Sequence, residues 1–391
     1  MHITHLSLTN FRNYRSLDLD LAAKAIVIQG DNAQGKTNLL ESVYMLATTK
    51  SHRASSDREL LHSDAMNEDI PVGRASAHTQ RARDEVNVEI ILKAEEVRSG
   101  ADVAGGDDPA GPYVRKHVRV NGVARRSADL VGQINVVLFT AQDIDLATGR
   151  SALCRRSLDL VNCQLDRDYF RSLQRYQKVL VQRNHLLRLL QKGEAQPDQL
   201  DFWDDELVKN GSRLIAQRKC LVEALNEHAR EIHRHISGGV EDLQVAYAPN
   251  VTADGSLSEI EAGFREALQK KRKRETLQGM TLAGPHRDTL DFSLNRTDVA
   301  RFGSRGQQQT VVLSLKLAEA KHIQAEVKDC PIILLDDVFS ELDAERRKHL
   351  LALVGRYQQV LITATDLGCF EPSFLANTMR FRVSQGIIES A

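Results

Sequence analysis

Residues 30–37, Gly-Asp-Asn-Ala-Gln-Gly-Lys-Thr, fit the pattern G-x-x-x-x-G-K-[ST], and no other feature of the chain restricts its fold as strongly. The apolar stretch 24–29 stands before it as a buried strand, and Leu39, Leu40, Val43 and Leu46 follow at helix spacing. A strand that turns through glycines into a helix presents backbone N–H groups at the helix N-terminus, and such groups hold phosphate. Gly30, Asp31, Asn32, Ala33, Gln34 and Gly35 are expected to wrap a nucleotide's phosphates, with Asn38 in the first helical turn. Lys36 is expected to reach the β- and γ-phosphates, and Thr37 to offer its hydroxyl to Mg²⁺.

Far downstream, Ile332-Ile333-Leu334-Leu335 is a continuous apolar run, the pattern of a parallel strand covered on both faces. It ends in Asp336-Asp337, and ligands of open α/β sheets bind beyond the carboxyl ends of the strands. Asp336 is expected to complete the Mg²⁺ shell, and Asp337 to orient or deprotonate an attacking water, making Lys36 and Asp337 the catalytic candidates. A third segment, Ser304-Arg305-Gly306-Gln307-Gln308-Gln309-Thr310, opens an amphipathic helix and makes a second anion-binding N-terminus. One pocket rarely needs two γ-phosphate sensors, so Ser304, Gly306 and Gln307 are expected to serve a partner's nucleotide. ATP and Mg²⁺ are the expected cofactors.

The rest of the chain alternates between sheet and helix text. Residues 86–92 and 113–125 alternate apolar and polar, with Asn121-Gly122 as a hairpin turn, inside a β-rich lobe at about 60–135. Residues 99–112 are expected to form a flexible surface loop. Leu173, Tyr176, Leu180, Leu187 and Leu190 share one helical seam, with Arg183 at a seam position. Gly193 and Pro197 stop that helix, and a second runs from about Trp203 to His235. The pair makes either an antiparallel arm of about 35 Å or an ordinary helical subdomain. The expected division is 1–148, N-terminal head; 149–240, helical arm; and 241–391, C-terminal head.

Charge sets the terms for partners. Lys+Arg number 52 and Asp+Glu 53, so no global basic field draws the chain to nucleic acid or membrane, and DNA contacts must come from local patches. Candidates are Arg115, Lys116, Arg119, Arg125 and Arg126 on the hairpin, and Lys271 and Arg272 within the run Lys270–Arg274. The arm adds Arg155, Arg156, Arg171, Arg175, Lys178 and Arg183. Such residues grip phosphates without reading sequence. The five Cys form no C-x-x-C pair, no apolar stretch reaches transmembrane length, and the start has no signal-peptide pattern. A cytoplasmic location with no membrane partner is expected.

The three motifs together resemble the ATP-binding-cassette superfamily, with Arg305 where the Ser-Gly-Gly-Gln signature has its first Gly and Ser340-Glu341-Leu342-Asp343 similar to its D-loop. The wide gap between Lys36 and Asp336 looks like the SMC-like branch. Within it, Asn10–Tyr14, Asn32–Glu41, Ser51-His52-Arg53, Ala283–Asp288, Leu335–Asp343 and Thr363–Asp366 resemble the RecF family. That resemblance implies an α/β ABC-type head with a β-rich lobe and an inserted helical arm. It places Arg12 near the nucleotide and Asp366 at the switch position. It further implies an ATP-dependent homodimer acting on single-stranded, gapped or duplex DNA in recombinational gap repair, replication and SOS induction. RecR and RecO are the implied partners in loading RecA, with weak DNA-stimulated ATP hydrolysis as a timer. Gln309, Ala141-Gln142 and Thr289 depart from the family pattern. A transporter-type cassette energising a membrane partner is the alternative.

Overall fold

Ala25–Gln29, Ile332–Asp336 and Val360–Ala364 carry almost uninterrupted apolar side chains, and Ile26, Val27, Ile28 and Ile332 to Leu335 are fully buried. Only a parallel sheet covered on both faces suits such segments. They form the centre of a six-stranded sheet in the order Ile387–Ser390, Met379–Ser384, Ala25–Gln29, Val360–Ala364, Ile332–Asp336, Val136–Thr140, parallel except for the first pair. The register pairs Ala364 with Gln29 and Thr363 with Asp336, so the carboxyl ends of the three central strands lie in line.

The computed structural model describes residues 1–95 and 113–391, and the loop expected at 99–112 lies outside the described residues. The second six-stranded sheet is antiparallel, in the order Tyr14–Asp20, His2–Phe11, Val72–Gln80, Glu85–Glu95, Tyr113–Val120, Val123–Arg125. Along Glu85–Glu95 the residues Val86, Val88, Ile90, Leu92 and Ala94 are buried and their neighbours are not, the period of a strand with one wet face. Asn121 and Gly122 both have positive φ, as the expected tight hairpin turn requires. The β-rich lobe thus extends to the first two strands of the chain.

Contacts divide the chain into Met1–Asp143 with Glu319–Ala391, which holds both large sheets, and Ile144–Ala318. This differs from the expected boundaries at 148 and 240. The antiparallel pair is present as Arg167–Lys192 and Leu200–Ile236, and Gly193 ends the first helix in a left-handed cap. A third helix, Leu257–Gln278, packs on the pair, with Ile260, Phe264 and Leu268 in one core with Leu173, Tyr176, Leu207 and Leu214. Residues 241–318 therefore belong with the helices, because their apolar faces are buried there. The strands Leu243–Ala248, Thr289–Leu294 and Thr297–Asp298 form a small sheet in the same unit.

Arg183, expected among the DNA-facing cations of the arm, is fully buried. Its guanidinium donates to Asp204 (2.6 Å), Glu275 (2.7 Å) and Thr281 Oγ1 (2.8 Å). Burial pushes Asp204 above the ordinary carboxylate range in spite of Arg183 beside it. Removing one partner of such a set leaves a buried charge without compensation. Arg183→Ala is expected to destabilise the protein by about 3–5 kcal/mol, read as a fall in the urea midpoint followed by circular dichroism.

Candidate nucleotide site

The loop 30–37 leaves the carboxyl end of Ala25–Gln29 and enters the helix Lys36–Thr48 with Gly35 at its N-cap. Lys36 is 6% exposed, and its ammonium donates to the carbonyls of Gly30 (2.6 Å) and Asp31 (2.8 Å), folding the side chain across its own loop. Burial lowers its pKa, while the charges of Asp337, Asp336 and Asp31 pull the other way. Thr37 Oγ1 donates to Asp336 Oδ1 at 2.9 Å, so the two expected Mg²⁺ ligands meet across two neighbouring segments of the fold.

Thr363, in the family-like segment Thr363–Asp366, has no role assigned to it by the sequence. Its hydroxyl donates to the same Asp336 oxygen at 2.9 Å and accepts from the Asp337 N–H at 2.9 Å. The faint signal was a hydroxyl near the end of an otherwise apolar strand, Val360–Ala364, next to that of Asp336. Asp337 has φ 53°, a left-handed conformation uncommon without a constraint, at the start of the turn Val338–Glu341. Asp337, Ser340, Arg347, Asp366 and Cys369 line a pocket of about 280 Å³. Asp366 also caps the turn Leu367–Cys369 by accepting from the Gly368 N–H at 2.8 Å.

Arg12 makes a two-pronged contact with Glu41, Nε and Nη2 each 2.8 Å from a carboxylate oxygen, and donates to the Glu59 carbonyl. Glu41 is fully buried on the helix that follows the loop. Burial alone would raise its pKa, but hydrogen bonds from Arg12 and Ser51 together with the Arg12 charge hold it below the ordinary value. Gln142 is exposed in the turn Ala141–Asp143, directly after Val136–Thr140, the strand beside that of Asp336.

In the other unit, Ser304 and Gln307 cap the helix Arg305–Val327 reciprocally. The Gln307 N–H donates to Ser304 Oγ (3.2 Å), and the Ser304 N–H donates to Gln307 Oε1 (2.9 Å). Gln307 Nε2 donates to Glu241 (2.8 Å), whose second oxygen faces His233 Nε2 at 3.0 Å. Asp343, in the D-loop-like segment, caps the helix Ala344–Val354 through the Arg346 N–H.

The family model for the RecF/RecN/SMC N-terminal domain matches residues 2–388. The DNA replication and repair protein RecF of Chloroflexus aggregans is 43% identical to this chain, with 99% of each chain covered. The chain belongs to the RecF family. It is also similar to the solved structure of the recombination mediator protein RecF-ATPrS in the RecFOR pathway, at a TM-score of 0.85 and 28% identity over 100% of this chain and 98% of that one. An Smc head domain from Pyrococcus furiosus matches at a TM-score of 0.51 and 13% identity, covering 100% of this chain and 96% of that one, a likeness of fold alone. The ABC-type head with a β-rich lobe and inserted antiparallel helices follows from these matches, and they do not favour the transporter alternative. Among the described residues no helix is long and apolar enough to cross a membrane.

The cations expected from the charge runs separate into two groups. Lys116 is engaged by Asp57 (2.6 Å) and the Thr49 carbonyl (2.8 Å), Lys271 by the Leu282 carbonyl, and Arg272 by Asp201 and the Pro197 carbonyl. Arg119 faces Glu89 at 3.5 Å, Arg155 donates to the Asp288 carbonyl, and Arg171 and Arg175 pair with Asp168 and Glu206. Arg115, Arg125, Arg126, Lys178, Lys273 and Arg274 are exposed, as is Arg156. For the nucleotide site, Asp336→Asn replaces an anion that accepts two hydroxyls by a neutral amide. ATP binding in the presence of Mg²⁺ is expected to weaken at least about tenfold, with a smaller effect in EDTA, measured by titration calorimetry.

Proposed function

We propose that this chain is an ATP-dependent DNA-binding protein of recombinational gap repair, DNA replication and SOS induction, working in the cytoplasm. ATP draws two heads together around DNA, and slow hydrolysis releases them. RecR and RecO are the proposed partners in loading RecA. The observation that carries this reading is the meeting of Thr37, Asp336 and Thr363 beside Lys36, at the carboxyl ends of three parallel strands. Full-length similarity to proteins named for DNA replication and repair supports the biological role, and similarity to a RecF-ATP structure supports the ligand.

In this reading Gly30 to Thr37 wrap the phosphates and Lys36 neutralises the β- and γ-oxygens. Thr37 and Asp336 are hard oxygen donors that suit Mg²⁺ held mainly by phosphate, where the ion neutralises charge on the triphosphate. Asp337 takes a proton from the attacking water as its oxygen bonds to the γ-phosphorus and the bond to the β-bridging oxygen breaks. Asp366, which lines the same pocket as Asp337, is the proposed switch residue. Ser304, Gly306 and Gln307 of one copy serve the γ-phosphate bound by the other, through the helix N-terminus that the Ser304–Gln307 cap keeps ordered. Arg12 acts in this scheme by bracing Glu41, and with it the helix that begins at Lys36.

DNA contacts fall to the exposed cations, Arg115, Arg125 and Arg126 on the hairpin and Lys273 and Arg274 on the third helix. Replacing Arg125 and Arg126 by Glu is expected to weaken binding of unrelated DNA sequences alike, and to reduce the slope of log K against log salt by about two. Fluorescence anisotropy at several salt concentrations reads both. The dimer itself is tested by sedimentation of Asp337→Asn with and without ATP, then with a gapped duplex. An ATP-dependent dimer that retains the duplex is expected; a persistent monomer that binds ATP would remove the role assigned to Ser304.

A further inference from the structure

Two consecutive carbonyls of the phosphate loop are held by segments from opposite ends of the chain. The Gln34 carbonyl accepts from Asn13 Nδ2 at 2.7 Å and from the Gly386 N–H at 3.1 Å. The Gln34 side chain accepts from the Gln385 N–H at 2.7 Å through Oε1. The Gly35 carbonyl accepts from the Tyr14 hydroxyl at 3.0 Å and from the Leu39 N–H at 3.1 Å. The Asn13 amide has a defined orientation, because Asn38 Nδ2 donates to Asn13 Oδ1 at 2.8 Å.

There is no slack in the arrangement. A Cβ on Gly35 would lie 2.5 Å from Asn13 Nδ2, and one on Gly386 would lie 2.2 Å from the Asn13 carbonyl oxygen. Gln385 and Gly386 have φ of 48° and 76°, so the last hairpin turns tightly enough to present two successive N–H groups to Gln34.

A trans peptide points its carbonyl and its N–H in opposite directions, and the described residues contain no cis peptide. Holding the Gln34 and Gly35 carbonyls toward Asn13, Tyr14 and the Gln385-Gly386 turn therefore directs the Gly35 and Lys36 N–H groups the other way. Those are the N–H groups a phosphate cradle uses. Gly35, with no Cβ to restrict it, is the place where a peptide flip would otherwise be easiest. We propose that Asn13 and the Gln385-Gly386 turn form a latch that sets peptide orientation in the loop, so that Asn13 is a positioning residue for the triphosphate. This rests on the reading of residues 30–37 as the ATP site.

The test uses the full chain and Mg²⁺-ATP. Asn13→Asp keeps the shape of the side chain but replaces the donor to Gln34 by an oxygen. ATP is expected to bind about tenfold more weakly, the loss of one net hydrogen bond and its repulsive replacement. Amide hydrogen exchange at residues 34–36 is expected to quicken while the melting temperature without nucleotide stays in place, a combination that a general packing defect would not produce. If Asn13→Asp lowers that melting temperature, Gln34→Met tests the same latch by removing the acceptor of the Gln385 N–H without adding a clash, and is expected to weaken ATP in the same direction. Lys36→Ala separates the two ideas. Unchanged affinity in the latch variants, with ATP lost in Lys36→Ala, overturns the latch alone; normal ATP binding by Lys36→Ala overturns the ATP assignment of the loop and the latch with it.

Discussion

Asp336 accepts hydrogen bonds from two hydroxyls, Thr37 and Thr363, each at 2.9 Å, and the candidate site is organised around that carboxylate. Bonds to an ionised acceptor are stronger than neutral ones, and here they tie the start of the helix after the phosphate loop to the ends of two neighbouring strands. The joint exists because the parallel register stops the three strands at the same level. Thr363 then passes the constraint on, since the same hydroxyl accepts from the Asp337 N–H and so holds the backbone of the proposed base. Lys36, Thr37, Asp336 and Asp337 are thus set by one sheet rather than by separate loops, the arrangement that keeps a phosphate site stiff.

The second unit is organised by buried arginines. Arg183 joins three helices through Asp204 and Glu275, with Thr281 beyond the last of them. Arg218, 2% exposed, donates to the Pro285 carbonyl (2.6 Å), to Asp288 (3.0 Å) and to Asp159 (2.8 Å). Asp288 is itself fully buried and accepts from Tyr247 and from the Asn250 N–H. The family-like segment Ala283–Asp288 therefore seats an internal cation. Guanidinium suits this task because its planar fork meets several acceptors at once and never loses its charge. A balanced overall charge hides this partition, in which Arg183 and Arg218 build the interior while most of the described arginines face solvent.

The signature-like segment is held with equal care. Gln307 uses its oxygen to cap Ser304 and its amide nitrogen to reach Glu241, so both ends of that side chain are committed. Glu241 in turn faces His233, which is fully buried and whose pKa burial lowers against the pull of that carboxylate. An exposed helix N-terminus with this much support behind it presents its N–H groups in a fixed direction, as a second phosphate contact needs.

The strand and helix that flank residues 30–37, the Asp336-Asp337 strand end, the Asn121-Gly122 turn and the stop at Gly193 were legible in the sequence by itself. Each rests on local rules: glycine spacing, apolar periodicity and the backbone angles that Gly and Asn tolerate. Tertiary structure decided the rest. Whether a cation faces solvent depends on neighbours far away in the chain: Arg183, alike with Arg125 in the sequence, proved to be internal, and Lys116 and Arg272 are partly buried and engaged by carboxylates. The helical insertion gained its third helix because the apolar faces of 257–278 fit the other two, a matter of packing that periodicity leaves open. Thr363 and Asn13 lie in family-like segments that assign them no role; their roles arise where strand register and two distant turns bring a hydroxyl to Asp336 and an amide to Gln34.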